Sequence, residues 1–216
     1  YLMVNVRLVL DVEVRSGKEH ASKHSQEGLW RLLASIGREN WPSLVRGDTN
    51  FGTEPVMMRC EQEGLPYLFR LRLTAKVKRE LGRAMSTSDW MEAGHGWQGQ
   101  QTQLRLHGWG RARRVILLRR RLRGSVAVTD RRGGSHQLAL SFAEVETGQE
   151  LWEYGALVTS LTEEIVTFGQ LYRDRGDCEN AFDELKNQWG WGGFTTRDLG
   201  RCRLMARIVA LAYNWW

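Results

Sequence analysis

Tyr172, Arg175, Glu179 and Lys186 stand three, four and seven residues apart within the stretch 171–189, LYRDRGDCENAFDELKNQW. At about 100° per residue they fall within roughly 60° of one another on a helix. Leu171, Cys178, Phe182, Leu185 and Trp189 cluster on the adjacent stripe, centred roughly 70–100° away. One face can therefore bury against a core while its neighbour presents a carboxylate flanked by cations. Such a carboxylate is a hard oxygen ligand suited to a divalent cation. A solvated amphipathic helix also carries charges, but it spreads them over the far side rather than beside the apolar seam.

The elements that must position a second acid are legible upstream. Leu44-Val45 predicts a short buried strand ending at Arg46-Gly47-Asp48, followed by a helix over 53–64 with Thr53 as N-cap and Pro55 in its first turn. Asp48 thus sits at the carboxyl end of a strand; an Asx turn is the competing reading of an Asp there. Residues 2–14, LMVNVRLVLDVEV, predict a half-buried strand, and residues 25–35 a helix with Leu29, Trp30, Leu32 and Leu33 on its apolar face. Residues 67–73, YLFRLRL, alternate as a strand. Helix resumes at Thr162 and is expected to run into the 171–189 stretch, and a last helix fits 197–215. Between 90 and 160 the pattern is β, with strands at 102–106, 115–118, 126–129, 137–142 and 156–159 punctuated by glycines. The order implies a mixed α/β layer.

With these spacings, Tyr172, Arg175, Glu179 and Lys186 resemble the Tyr–Arg–Glu–Lys signature of one large group of bacterial insertion-sequence DDE transposases. The segment VRGDTNFGTEPVM around Asp48, and the helix and strand after it, resemble the region of the second catalytic Asp in that group. The resemblance spans about residues 4–216. It implies an RNase H-like mixed sheet with flanking helices, interrupted by a β-rich insertion. On that basis residues 1–89 are the N-terminal part of the core, 90–160 the insertion and 161–216 the C-terminal helical part.

The implied activity is metal-dependent cleavage and transfer of DNA strands at insertion-sequence ends. Asp48 and Glu179 would be catalytic metal ligands for Mg²⁺, with Mn²⁺ as a substitute. Two such ions about 3.5–4 Å apart suit in-line phosphoryl transfer. The resemblance further implies that Arg175 and Lys186 contact phosphate and that Tyr172 bonds or packs against the DNA backbone. The implied partners are double-stranded DNA, as transposon ends and target, and a second copy in a synaptic homodimer. One ligand is missing from the pattern. The first catalytic Asp should lie on a strand preceding residues 1–14, and Asp11, the sole Asp upstream of Asp48, falls within a later strand. The chain therefore reads as a transposase truncated at both ends, opening on Tyr1 without Met and closing on the apolar run ALAYNWW. A catalytically dead DNA-binding remnant is the rival reading, and a fragment with no function in isolation a third.

Charge distribution supports a polyanionic partner. The chain has 216 residues with 31 basic and 25 acidic, a formal net charge of +6. Residues 105–132 hold ten Arg and one Asp, a local +9 that leaves −3 for the rest. Within this block RARRVILLRRRLR carries seven Arg in thirteen residues. Arg119, Arg120 and Arg121 are the expected phosphate contacts, with a solvated strand edge as the alternative. Trp97 and Trp109 are candidates for stacking on a displaced base, against the more frequent packing role. His20 and His24 have helical spacing but lack the Glu and third ligand of a zinc site. Three widely spaced cysteines (Cys60, Cys178, Cys202) read as reduced thiols. There is no signal peptide and no apolar run of about eighteen residues, which argues against a secreted or membrane-spanning protein; the resemblance implies a cytoplasmic, nucleoid-associated bacterial protein.

Overall fold

A computed structural model describes residues 1–16, 21–122, 125–129, 140–144 and 151–216. In chain order the elements are β1 (Leu2–Met3), β2 (Leu8–Val9), α1 (Ala21–Ile36), β3 (Val45–Gly47), α2 (Glu54–Gln62), β4 (Tyr67–Arg70), α3 (Ala75–Met85), β5 (Met91–Glu92), β6 (Trp97–Leu104) and β7 (Arg113–Arg121). They continue as β8 (Ser125–Thr129), β9 (Leu140–Glu144), β10 (Trp152–Thr159), α4 (Ile165–Arg173), α5 (Arg175–Asn187) and α6 (Leu199–Trp215). Of the predicted strand over 137–142, residues 137–139 lie outside the described residues, as does His20.

One six-stranded sheet, in the order β3-β4-β10-β7-β6-β5, organises the molecule. β3 and β4 are parallel neighbours joined through α2, and every other pairing in the sheet is antiparallel. The β-rich stretch from 90 to 160 thus continues the core sheet, through the pairing of Leu157 with Arg70 and Val158 with Phe69. β8 and β9 form a separate antiparallel pair.

Alternation along β7 explains why this sheet is covered on both faces. Val115 and Leu117 point to one side, with Tyr67, Phe69, Ala156 and Val158, and pack under α1, α2 and α3 through Leu33, Met57, Cys60, Val77 and Leu81. Ile116 and Leu118 point to the other, with Leu68 and Leu157, and pack under α4 through Ile165 and Phe168. Central strands buried on two faces read as continuous apolar runs, so Tyr67, Leu68 and Phe69 are all buried and the expected apolar–basic alternation there gives way. A third cluster joins Leu185 of α5 to Ala210 and Tyr213 of α6 and Val9 of β2.

Two sequence expectations change. Residues 2–14 do not form one strand: β1 and β2 are a two-residue antiparallel pair around a single 3-10 turn, Val4–Val6, and Arg7 turns with φ 51°. Beyond the Leu10 N–H, which the Tyr1 carbonyl accepts at 2.9 Å, residues 10–14 belong to no strand among the described residues. α3 was not anticipated, although Val77, Leu81 and Ala84 bury one face at helical spacing and the Thr74 side chain accepts the Val77 N–H.

Candidate active site

Asp48 follows directly on the last residue of β3, at the carboxyl end of a parallel strand pair, where α/β sheets tend to carry their functional groups. Gly47 keeps this turn tight, since a Cβ there would meet Phe51 side-chain atoms at 2.7–2.8 Å. The turn is an Asx turn: Asp48 Oδ1 accepts the Asn50 N–H at 2.9 Å and Oδ2 accepts the Asn50 side-chain amide at 3.1 Å. The carboxylate is exposed and each oxygen retains a lone-pair site beyond its bond to Asn50. The Asx turn and an acid open to a cation coexist here.

Tyr172, Arg175, Glu179 and Lys186 sit on two helices rather than one. α4 ends at Arg173 and α5 begins at Arg175, with Asp174 between them. Asp and Gly are poor helix formers, and RDRGD places Asp174 and Gly176 together; Gln170 also draws the Asp174 carboxylate back by a 2.5 Å hydrogen bond. The single helical wheel therefore holds for Arg175, Glu179 and Lys186 on α5, and Tyr172 belongs to α4. Glu179 and Lys186 are exposed on α5. The Arg175 side chain lies outside the described residues. The apolar stripe divides accordingly, with Leu171 under the sheet beside Phe168 and Phe182, Leu185 and Trp189 in the cluster shared with α6.

Three contacts fix α4. Gly169 lies so close to the sheet that a Cβ there would fall 1.9 Å from the Ala93 carbonyl oxygen. Arg173 Nη1 donates to the carbonyls of Ala93 at 2.8 Å and Gly94 at 2.9 Å. Arg46, on β3, donates through Nη1 to the Leu171 carbonyl at 2.9 Å. Arg46 and Asp174 line a cleft of ≈ 560 Å³ together with residues Val4 to Arg7. Nothing in the sequence pattern pointed to Arg46 or Arg173.

The aromatic candidates are core residues. Trp97 is 4% exposed and meets the half-buried Tyr172 edge-on at 5.0 Å between ring centroids. Trp109 is 7% exposed beneath the Arg113 guanidinium. Burial leaves neither indole a face for a base, so both take the packing role, and Tyr172 spends its ring on Trp97.

Several arginines of the basic block are engaged by other side chains or carbonyls, and among its described residues Arg113 is buried. Arg113, whose side chain is 3% exposed, binds Glu61 through Nε at 2.7 Å and Nη2 at 3.0 Å, and binds Glu54 through Nη1 and Nη2. Arg114 donates to Gln101 and to the carbonyls of Leu161 and Glu163. Arg120 pairs with Glu153 at 2.6 Å and covers Trp97. Arg119 differs. It lies between Trp90 at 4.2 Å and Trp152 at 4.6 Å and donates Nε–H to Gln98, and no acid pairs with it among the described residues. Arg121 is exposed at the strand end.

Electrostatics concentrate at the Arg113 cluster. Burial works to raise the Glu61 carboxyl, but hydrogen bonds from Arg113, Arg111 and Tyr67 overcome it and hold the group at about 2. The Arg113 hydrogen bonds likewise hold Glu54 below the carboxylate range, against burial. None of the three cysteines is in a disulfide among the described residues, and burial pushes the Cys60 thiol up to about 12. Among the described residues, no group of three or more His, Cys, Asp or Glu side chains is arranged to hold a metal ion. No helix among them is long and apolar enough to cross a membrane.

A six-stranded mixed sheet with helices on both faces, and an acid at the end of its parallel pair, is the architecture of an RNase H-like domain. The chain belongs to the family described as the transposase DDE domain, whose family model matches residues 3–215. No curated protein matches the sequence. Membership makes this a DNA transposase sequence. The chemistry of the family is phosphoryl transfer on DNA with divalent metal ions.

Proposed function

We propose that this chain contributes Asp48 and Glu179 to the metal site that cleaves and joins DNA strands at insertion-sequence ends. The observation that carries this reading is the junction of their supports. Asp48 leaves β3 two residues after Arg46, and Arg46 bonds to α4 beside the start of the helix bearing Glu179. Both acids are exposed hard oxygen donors, which suits Mg²⁺ or Mn²⁺ in type, with water and phosphate oxygens filling further positions. A divalent ion held by these acids would supply activation of the attacking oxygen and charge neutralisation at the leaving one. Lys186 and Arg175, on the same helix as Glu179, serve the phosphates, and Tyr172 acts by packing that helix junction against Trp97.

The two-acid set needs a third oxygen ligand for a full DDE triad. Asp11 is not assigned that role, because it follows β2, which lies outside the six-stranded sheet. The DNA grip extends along the 90–160 portion through Arg119 and Arg121. We keep the division at 1–89, 90–160 and 161–216 as a functional one within a continuous sheet. A synaptic homodimer on paired transposon ends, at the nucleoid, completes the reading.

The test is cleavage of a supercoiled plasmid with Mg²⁺ and with Mn²⁺. Asp48→Asn and Glu179→Gln should each lower the rate by about 10³-fold or more while DNA affinity changes less than about threefold, a loss on the scale of one removed catalytic group. Binding without metal-dependent cleavage in the parent chain would establish the remnant reading instead. Activity abolished by Asp11→Ala would make Asp11 the third ligand.

A further inference from the structure

We propose that Arg46 is a positioning residue, a clasp that locks the strand bearing Asp48 to the helix pair bearing Glu179. The inference rests on the assignment of those two acids as metal ligands. The last carbonyls of a helix lack intrahelical partners, and Leu171 is in the final turn of α4. The break at Asp174 leaves its carbonyl available, and the Arg46 guanidinium takes it across 125 positions of sequence. A cation is also favoured at a helix C-terminus, where the macrodipole is negative.

Among the described residues Arg46 makes one side-chain bond, to this carbonyl, and it lines the open cleft beside Asp174. It is half-buried on a three-residue strand, so its backbone is held by pairing with Leu68 while its head reaches the helix junction. Among the described residues the Asp48 carboxylate bonds to Asn50 and to neither α4 nor α5. Among them, the Arg46 bond is therefore a side-chain link that ties the Asp48 turn to the two helices. A planar guanidinium suits this role, because its N–H groups are fixed relative to one another and hold direction as well as distance.

Arg46→Met and Arg46→Lys in the full chain test the clasp by amide hydrogen exchange and by Mn²⁺ titration followed by electron paramagnetic resonance. Arg46→Met should speed exchange about tenfold or more at residues 171–178 and in the turn 48–51, leaving α2 and α3 unchanged. Mn²⁺ affinity should fall about tenfold, and Arg46→Lys should restore most of both, because an ammonium still reaches a carbonyl. Unchanged exchange at the junction, or a uniform rise over the whole chain, would overturn the proposal. If Asp48→Asn and Glu179→Gln leave Mn²⁺ binding of the parent unaltered, the ligand assignment fails, and the exchange pattern still decides the clasp.

Discussion

At the scale of single residues, the Arg113 cluster shows how a basic block can be spent inside a protein. Its guanidinium is buried against Glu54 and Glu61, Arg111 adds a 2.9 Å pair to Glu61, and the Tyr67 hydroxyl donates to Glu61 at 2.8 Å. Removing one partner of a buried pair strands the other charge, which costs about 3–5 kcal/mol when both are dry. Both carboxylates here keep a rim of solvent, so Arg113→Met should cost about 3 kcal/mol, read from urea unfolding. The pH dependence follows from the depressed Glu61 pKa. Its folded value of about 2 lies below the ordinary unfolded carboxylate, near 4.3. The stability it contributes is therefore full above pH ~4.5 and is lost as pH falls toward 2. Unfolding midpoints measured over that window should be flatter for Glu61→Gln than for the parent; an equal slope in both would remove Glu61 as the cause.

At the scale of elements, α4 decides where Tyr172 and the start of α5 lie. It is set against the β5–β6 turn by the absence of a side chain at Gly169, by Arg173 on two carbonyls, and by Arg46 from the opposite side. Gly169→Ala would drive a methyl into the Ala93 carbonyl, which is backbone and cannot swing aside. Overpacking of this kind costs about 1–3 kcal/mol. We expect a loss in that range by thermal unfolding, together with altered near-ultraviolet dichroism from the Trp97–Tyr172 pair. Ala at Gly176, where a Cβ meets nothing within 4 Å, should be neutral or stabilising and serves as the control.

For the molecule as a whole, binding to DNA is governed by how many cations remain available outside. Each phosphate neutralised on a duplex adds about 0.9 to the slope of log affinity against log salt. The Arg119 guanidinium lies over the Trp90 and Trp152 rings and pairs with no acid among the described residues, so Arg119→Ala should lower that slope by about 1. Arg113→Met should leave the slope unaltered while lowering stability. Fluorescence anisotropy on a labelled duplex at several salt concentrations separates the two; a slope change for Arg113 would mean that its burial is not the working state.

The amino-acid sequence by itself determined the repertoire: a mixed α/β chain, an acid after a short strand, a second acid on an amphipathic helix, and the family to which that pattern belongs. These are local properties, written in the period of apolar residues and in turn chemistry within a few positions of each acid. Tertiary structure alone decided which side chains were free to act. It buried Trp97 and Trp109, turned Arg113 inward onto α2 from 52 and 59 positions away, put Tyr172 and Glu179 on two helices, and set Arg46 on Leu171. Sheet register and helix docking set those partnerships, and both depend on contacts between residues far apart in the chain, which no local period encodes.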